Sequence, residues 1–176
     1  LYKLSKSHDL AHLVGDALIK NDLIGDGEIK AKFQKQMMLA VYRYEKINYE
    51  LGRLRKVLNE AEIPFIPLKG SVIRQYYPEP WMRTSCDIDV LVHESDLERA
   101  VSALTSAVGY KADSKGSHDV GMFSDSGVHL ELHYSLIEDK IVGSAADVLR
   151  STWKNASPVS DTSEYAFGDD LFLKKA

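Results

Sequence analysis

Apolar residues in the first third of the chain recur every three or four positions, which places them on one face of an α-helix. The pattern predicts a first helix from about Ser5 to Lys20 and, after the loop NDLIGDGE, a second from Glu28 to about Glu60. The second segment contains no proline and a single glycine, Gly52, so we expect one long helix. Its lysines and arginines are expected to form a solvent-exposed face.

The spacing changes after the long helix, where short apolar runs alternate with turn residues. IPFIPLKG predicts a strand from Pro64 to Leu68 that ends in a turn at Gly70, and DIDVLV predicts a second strand. Between them, a short helix from Ser71 to Tyr77 is expected to stop at Pro78.

The rest of the chain continues this alternation of helices and strands. The sequence from Ser95 to Glu98 has the form of a capping box, which predicts a helix to about Val108 with Gly109 as its C-terminal stop. HDVGMFS and VHLELHYS predict two strands joined by a turn at DSG. A helix is predicted from Ser144 to Trp153, and one further strand at about Tyr165–Phe167.

This order of elements predicts an α/β (α+β) fold, in which helices flank a mixed sheet and a helical segment precedes it. We expect residues 1–62 to form the helical segment and residues 63–176 the α/β core. The chain begins without methionine and ends in an amphipathic segment, so we expect it to be a fragment of a longer protein.

Composition narrows the classes of function. The 22 lysines and arginines are outnumbered by 26 aspartates and glutamates, and the resulting formal net charge of −4 disfavours binding to long nucleic acids or to membrane surfaces. Cys86 is the only cysteine, which excludes an internal disulfide and favours a reducing, cytoplasmic location. No apolar run approaches the length of about 20 residues that spans a membrane.

The strand DIDVLV carries two aspartates among apolar residues. Because side chains alternate between the faces of a strand, Asp87 and Asp89 should share one face while Ile88 packs on the other. Two carboxylates so close repel each other, and burial adds a further cost unless a cation binds them. The pattern therefore indicates a divalent metal site, or else an aspartate that caps a turn and another that pairs with Arg83.

The later strand VHLELH repeats this arrangement. His129, Glu131 and His133 should share one face, and the two leucines between them should face the core. If this strand lies beside DIDVLV, Glu131 provides a third carboxylate, which completes a metal site or accepts a proton from an acceptor hydroxyl. The alternative is a structural zinc or transition-metal site built from the three residues of this strand alone. His118 is expected to be incidental.

A glycine and a serine stand where the first strand meets the short helix. Gly70 permits a tight turn and a close approach of the backbone, and Ser71 adds a hydroxyl. The free N–H groups at the start of a helix favour phosphate. The pair therefore indicates either a phosphate-binding turn or an ordinary turn.

Taken together, these motifs resemble the nucleotidyltransferase superfamily, which includes DNA polymerase beta, poly(A) polymerases and aminoglycoside nucleotidyltransferases. The finer pattern PLKG, YP, R, DIDVLV, LELH is similar to a bacterial family described as uncharacterised nucleotidyltransferases. The resemblance covers about residues 64–136 and extends to the first helix. It implies that a C-terminal helical part is missing from the chain.

The resemblance also implies the chemistry. A nucleoside monophosphate would move from a nucleoside triphosphate (NTP) to a hydroxyl-type acceptor, with Mg²⁺ or Mn²⁺ as the cofactor and pyrophosphate as the second product. The acceptor would be a small molecule such as a metabolite or sugar, a peptide or protein, or an RNA end. The implied metal and catalytic residues are Asp87, Asp89 and Glu131, and the implied nucleotide-binding residues are Lys69, Gly70, Ser71 and Arg83.

Several of these roles have alternatives. Lys69 either reaches a phosphate or is a solvated loop residue, and Arg83 either neutralises phosphate or orients Asp87. His133 either supports a metal ligand through a hydrogen bond or is structural. For the chain as a whole, the alternative is a non-catalytic domain of the same fold that binds a nucleotide or a partner.

Overall fold

The computed structural model describes residues 1–137 and 143–156. Three helices come first, namely α1 (Tyr2–Ser7), α2 (Ala11–Lys20) and the long α3 (Glu28–Glu60). They are followed by β1 (Phe65–Pro67), α4 (Gly70–Ile73), β2 (Asp87–Val92), α5 (Leu97–Val108), β3 (Lys111–Lys115), β4 (Asp119–Phe123), β5 (His129–His133), α6 (Ser144–Arg150) and α7 (Thr152–Asn155). Short 3₁₀ turns span Arg74–Tyr76, Pro80–Met82 and Glu94–Asp96.

The five strands form one mixed sheet in the order β1-β2-β5-β4-β3. β2 and β5 are parallel, and the other neighbouring pairs are antiparallel. The predicted α/β fold, with a mixed sheet flanked by helices and a long N-terminal helix, is therefore confirmed. The parallel pair brings the two acidic segments of the sequence side by side.

The main hydrophobic core lies between one face of the sheet and the helices α3 and α5. Its strand residues include the fully buried Ile88, Val90, Leu130 and Leu132. Burial stabilises side chains of this kind by about 1.5–3 kcal/mol each. The other face of the sheet carries a smaller apolar cluster, in which the partly buried Trp153 of α7 packs near Leu91.

A buried carboxylate joins α3 to the far end of the sheet. Glu50 is fully buried, and its carboxylate accepts hydrogen bonds from the side chains of Arg53, Ser126 and Tyr110. Burial raises the pKa of Tyr110 far above its ordinary value, and the neighbouring Glu50 raises it further. The network thus surrounds one buried carboxyl group with an arginine and two hydroxyl groups as donors.

The first predicted helix, Ser5–Lys20, is interrupted. α1 ends at Ser7 and α2 begins at Ala11, because Asp9 adopts a φ of 54° that does not belong to a right-handed helix. The Asp9 carboxylate accepts a hydrogen bond of 2.9 Å from the Thr84 hydroxyl. This tertiary contact favours the break, and the periodicity of apolar residues contains no sign of it.

α2 packs closely on α3. A Cβ atom at Gly15 would lie only 2.9 Å from the Cβ atom of Phe33, whereas a Cβ atom at Gly25 would meet nothing within 4 Å. Glycine at position 15 therefore permits the approach of the two helices.

The structure adds one strand and corrects two further predictions. β3 was not predicted, because four of its five residues are polar, all five are exposed, and they show no alternation. The capping box does not form, since α5 begins at Leu97 and the Asp96 carboxylate pairs with Arg99. The predicted helix Ser144–Trp153 is divided into α6 and α7.

The strand predicted at Tyr165–Phe167 lies outside the described residues. Within residues 1–137 and 143–156, no helix combines the length and the apolar character needed to cross a membrane.

Candidate active site

The parallel register of β2 and β5 determines which side chains meet. Asp89 lies opposite Glu131, and Asp87 lies opposite His129. Because side chains alternate along a strand, these residues share the face turned away from the main core, and the fully buried Ile88 packs on the other. The prediction that DIDVLV lies beside VHLELH is confirmed.

Asp89, Glu131 and His133 form a cluster that could hold a metal ion. One carboxylate oxygen from each acid and one ring nitrogen of the histidine all lie within 4.8 Å of one another. The Nε2 atom of His133 is 3.3 Å from Oδ1 of Asp89 and 3.4 Å from Oε2 of Glu131. Asp89 and His133 are buried, whereas Glu131 is partly exposed. Asp87, the remaining predicted ligand, is half-buried on the same strand and is not a member of this cluster.

Lys69 extends its ammonium group into the same cluster. Its Nζ atom is 2.8 Å from Oδ1 of Asp89 and 3.9 Å from Oε2 of Glu131. The backbone supports this position, because the N–H of Leu68 donates a hydrogen bond of 2.9 Å to the carbonyl of Asp89. Lys69 has a φ of 44°, a value uncommon for a residue other than glycine, so the turn is strained. This ion pair was not foreseen from the sequence.

The pKa values of Asp89 and Lys69 are shifted by their contacts within the cluster. Burial raises the pKa of Asp89, but hydrogen bonds from His133 and Lys69 outweigh this effect and lower the pKa to about 2. The hydrogen bond with Asp89 raises the pKa of Lys69, against the opposing effect of burial. Asp89 is therefore ionised and Lys69 protonated at neutral pH. The ammonium offsets the repulsion between the two carboxylates.

Gly70 and Ser71 follow Lys69 directly and begin α4. A Cβ atom at Gly70 would lie 3.2 Å from the Cβ atom of Ser85, so the absence of a side chain permits this close approach. Ser71 is buried, and its Oγ atom has no hydrogen-bond partner among the described residues. A buried polar group without a partner costs about 1–3 kcal/mol. The hydroxyl is therefore available to a bound ligand.

Arg74 is a buried arginine in the same region, and its role was not predicted from the sequence. Its Nε donates a hydrogen bond of 3.0 Å to the carbonyl of Gly70, and its Nη2 donates one of 2.7 Å to Oγ of Ser85. Burial lowers the pKa of Arg74, and no carboxylate pairs with it in the described part of the chain. The only sequence signal for this contact is the position of Arg74 one helical turn after Gly70.

Arg83 is half-buried near the end of the segment that connects α4 to β2. Its Nη1 donates a long hydrogen bond of 3.4 Å to the carbonyl of Thr84. No contact between Arg83 and Asp87 is described in residues 1–137 and 143–156.

Two more histidines approach the cluster. His118 stacks on His133 with a distance of 5.8 Å between ring centroids, although it was expected to be incidental. The Nδ1 atom of His129 lies 4.0 Å from Oε1 of Glu131. The alternative metal site within β5 alone would use His129, Glu131 and His133. Among the described residues, the cluster instead contains Asp89 together with Glu131 and His133. The strand pairing between β2 and β5 explains this difference.

Comparison with known proteins agrees with this geometry. The family described as uncharacterised nucleotidyltransferase matches residues 1–173 of the chain. The chain belongs to this family. The match includes the N-terminal helices as well as the sheet. A search of curated proteins found no match.

The family relationship inferred from the sequence motifs is therefore confirmed, and it supports a general nucleotidyltransferase function. In this member of the family, the cluster on β2 and β5 is a candidate site for the divalent metal that nucleotidyltransferases generally use.

Proposed function

We propose that this protein is a metal-dependent nucleotidyltransferase, which transfers a nucleoside monophosphate from an NTP to a hydroxyl-type acceptor. The main support is the convergence of Asp89, Glu131 and His133 on two paired strands. Two polar groups follow on the neighbouring turn, namely the ammonium of Lys69 and the hydroxyl of Ser71, which has no hydrogen-bond partner in the described part of the chain. Acidic ligands next to phosphate-binding groups suit a metal-bound nucleotide.

The proposed metal ligands are Asp87, Asp89 and Glu131, and the proposed ion is Mg²⁺ or Mn²⁺. Carboxylate oxygens are the ligands that these hard cations prefer, and one oxygen each from Asp89 and Glu131 lie within 4.8 Å of each other, close enough to share one ion. Asp87 belongs to the proposed set through strand alternation, and its charge raises the pKa of Lys69. When bound, the divalent ion supplies charge neutralisation at phosphate oxygens and activates the attacking hydroxyl.

The protein residues have separate proposed roles. Glu131 is the most exposed member of the cluster, so it is placed to accept the proton of the acceptor hydroxyl. The Ser71 hydroxyl, which has no partner among the described residues, donates a hydrogen bond to the triphosphate, and Gly70 allows the backbone to approach it. Lys69 and Arg83 neutralise phosphate charge. His133 orients Asp89 and Glu131 through its Nε2 atom.

In the reaction, an acceptor oxygen bonds to the α-phosphorus of the NTP while the bond from that phosphorus to the bridging oxygen breaks. Pyrophosphate leaves with the bridging oxygen. The acceptor is a small molecule, a protein or an RNA end. The net charge of −4 disfavours long nucleic acid.

The test is transfer of label. The protein is incubated with each α-³²P-labelled NTP, with Mg²⁺ or Mn²⁺, and with fractionated cell extract, and the labelled product is identified. Asp89→Asn should reduce transfer at least about 100-fold, because it removes a charged metal ligand. Asp113→Asn is the matched control, since Asp113 is exposed on β3 at the far edge of the sheet, and it should transfer label normally.

Label transfer that needs no divalent ion, or that survives Asp89→Asn, would contradict the proposed site. Binding of an NTP without transfer to any fraction would instead support the non-catalytic alternative.

A further inference from the structure

We propose that Lys69 is an internal occupant of the metal site, whose ammonium group takes the place of the divalent cation in the metal-free protein and is displaced when the cation binds. This inference rests on the proposed function in one respect, namely that Asp89 and Glu131 are metal ligands. It goes further because it gives Lys69 two positions and makes metal binding an exchange of cations.

The first step of the argument is the position of the ammonium. The Nζ atom of Lys69 contacts Oδ1 of Asp89 at 2.8 Å and lies 3.9 Å from Oε2 of Glu131. The same two oxygen atoms lie 3.3 Å and 3.4 Å from Nε2 of His133. A metal ion bound by these carboxylates would use the oxygens that now face Lys69. Because two cations at one carboxylate repel each other, occupation by one disfavours the other.

The second step is the freedom of Lys69 to leave. Its side chain is 61% exposed, whereas the side chain of Asp89 is 4% exposed and that of His133 is 7% exposed. Asp89 and His133 are therefore fixed by packing, and the lysine side chain lies on the solvent side of them. A lysine side chain is a flexible stem with a compact charge, so it can move to solvent without disturbing the cluster.

The third step is the backbone that holds the lysine in place. Lys69 has a φ of 44°, while the N–H of the preceding Leu68 is bonded to the carbonyl of Asp89. The strained turn at Lys69 thus follows a residue, Leu68, that is hydrogen-bonded to β2, the strand that carries Asp89. The Gly70–Ser71 pair follows directly in the chain, so the residue that carries the displaced ammonium adjoins Ser71, whose hydroxyl has no partner among the described residues. Metal binding therefore releases a positive charge next to the proposed phosphate-binding turn.

The experiment compares Mn²⁺ binding and thermal stability in the chelator-treated wild-type protein and in Lys69→Met. Without Lys69 the carboxylates lose their compensating charge, so the melting temperature of the metal-free variant should fall. The competitor is also removed, so Mn²⁺ alone, measured by isothermal titration calorimetry, should bind about tenfold more tightly, a coupling of ordinary size for two ligands that exclude each other.

Three further variants make the comparison specific. Lys69→Arg keeps the charge and the reach, so its Mn²⁺ affinity should remain close to that of the wild type. Lys35→Met removes one positive charge from an exposed position on α3 and should change neither measurement. Lys69→Gln is the second neutral variant and gives the same comparison if Lys69→Met does not fold without metal.

A lower melting temperature of the metal-free protein together with a higher Mn²⁺ affinity is the result expected of an exchange. A variant that loses both stability and Mn²⁺ affinity would show a purely structural role for Lys69 and would overturn the inference. Equal Mn²⁺ affinity in wild type and neutral variants, together with metal-dependent label transfer by the wild type, would overturn the exchange alone. Absence of Mn²⁺ binding to every variant would overturn both the exchange and the proposed metal site.

Discussion

Replacement of Asp89 by asparagine in the metal-free protein tests the electrostatics of the candidate site directly. From the sequence, two neighbouring carboxylates predict a cost to stability, and removal of one charge would then stabilise the fold. The structure reverses this expectation, because Asp89 accepts hydrogen bonds from Lys69 and His133. Asparagine keeps the size of the side chain but removes the charge that holds these donors.

The magnitude follows from the pKa of Asp89. Burial raises this pKa, but the hydrogen bonds from His133 and Lys69 lower it from 3.8 to about 2. One pKa unit corresponds to about 1.4 kcal/mol, so the ionised carboxylate contributes about 2 kcal/mol to the free energy of unfolding at neutral pH. Because the folded-state pKa is the lower one, this contribution is complete above about pH 4 and is lost as the pH falls towards 2.

The assay is urea unfolding in the presence of EDTA, followed by far-UV circular dichroism at a series of pH values. Asp89→Asn should be less stable than the wild type by about 2 kcal/mol at pH 7, and the difference should close below about pH 4. Asp113→Asn is the control and should follow the wild type. Equal or greater stability of Asp89→Asn at pH 7 would refute the reasoning, since repulsion between Asp89 and Glu131 would then outweigh the two donors.

Two further predictions concern the packing of α3. Gly15→Ala should destabilise the protein by about 1–3 kcal/mol, because the new Cβ atom overlaps Phe33, whereas Gly25→Ala should leave the free energy of unfolding unchanged or slightly raised. Glu50→Gln should cost about 2 kcal/mol in urea unfolding, because three donors lose a charged acceptor. A silent Gly15→Ala or Glu50→Gln would contradict the respective contact.

Local patterns in the sequence predicted the strands that carry the site. Ile88 and Leu130 alternate strictly with polar residues, so the face of each strand followed from the period of two. Ile88 and Leu130 are fully buried in the core, and the polar residues beside them lie on the opposite face of each strand. The pairing of Asp89 with Glu131 was conditional on the strand order, and that order depends on the whole topology of the sheet.

Features that depend on tertiary contacts or on an exposed surface were not predictable in this way. β3 lacks an apolar face, since every residue in it is exposed, and its formation depends on pairing with β4. The break at Asp9 depends on Thr84, which is 75 residues away in the chain. His118 reaches His133 because β4 and β5 pair in antiparallel register, so its isolated position in the sequence gave no signal.

Three costs to stability meet at the turn between β1 and α4. Lys69 has a strained backbone, Ser71 buries a hydroxyl without a described partner, and Arg74 buries a charge that no described carboxylate balances. A turn that served only to connect two elements would gain stability from the removal of each cost. All three groups offer positive charge or a hydrogen-bond donor, so an anionic ligand beside them would lower the cost of the unpaired hydroxyl and the unbalanced charge together. Costs of this kind gather at functional sites, where the rest of the fold offsets them. Their position next to Asp89 and Glu131 therefore supports the proposal that the protein binds a metal ion and a phosphate group side by side.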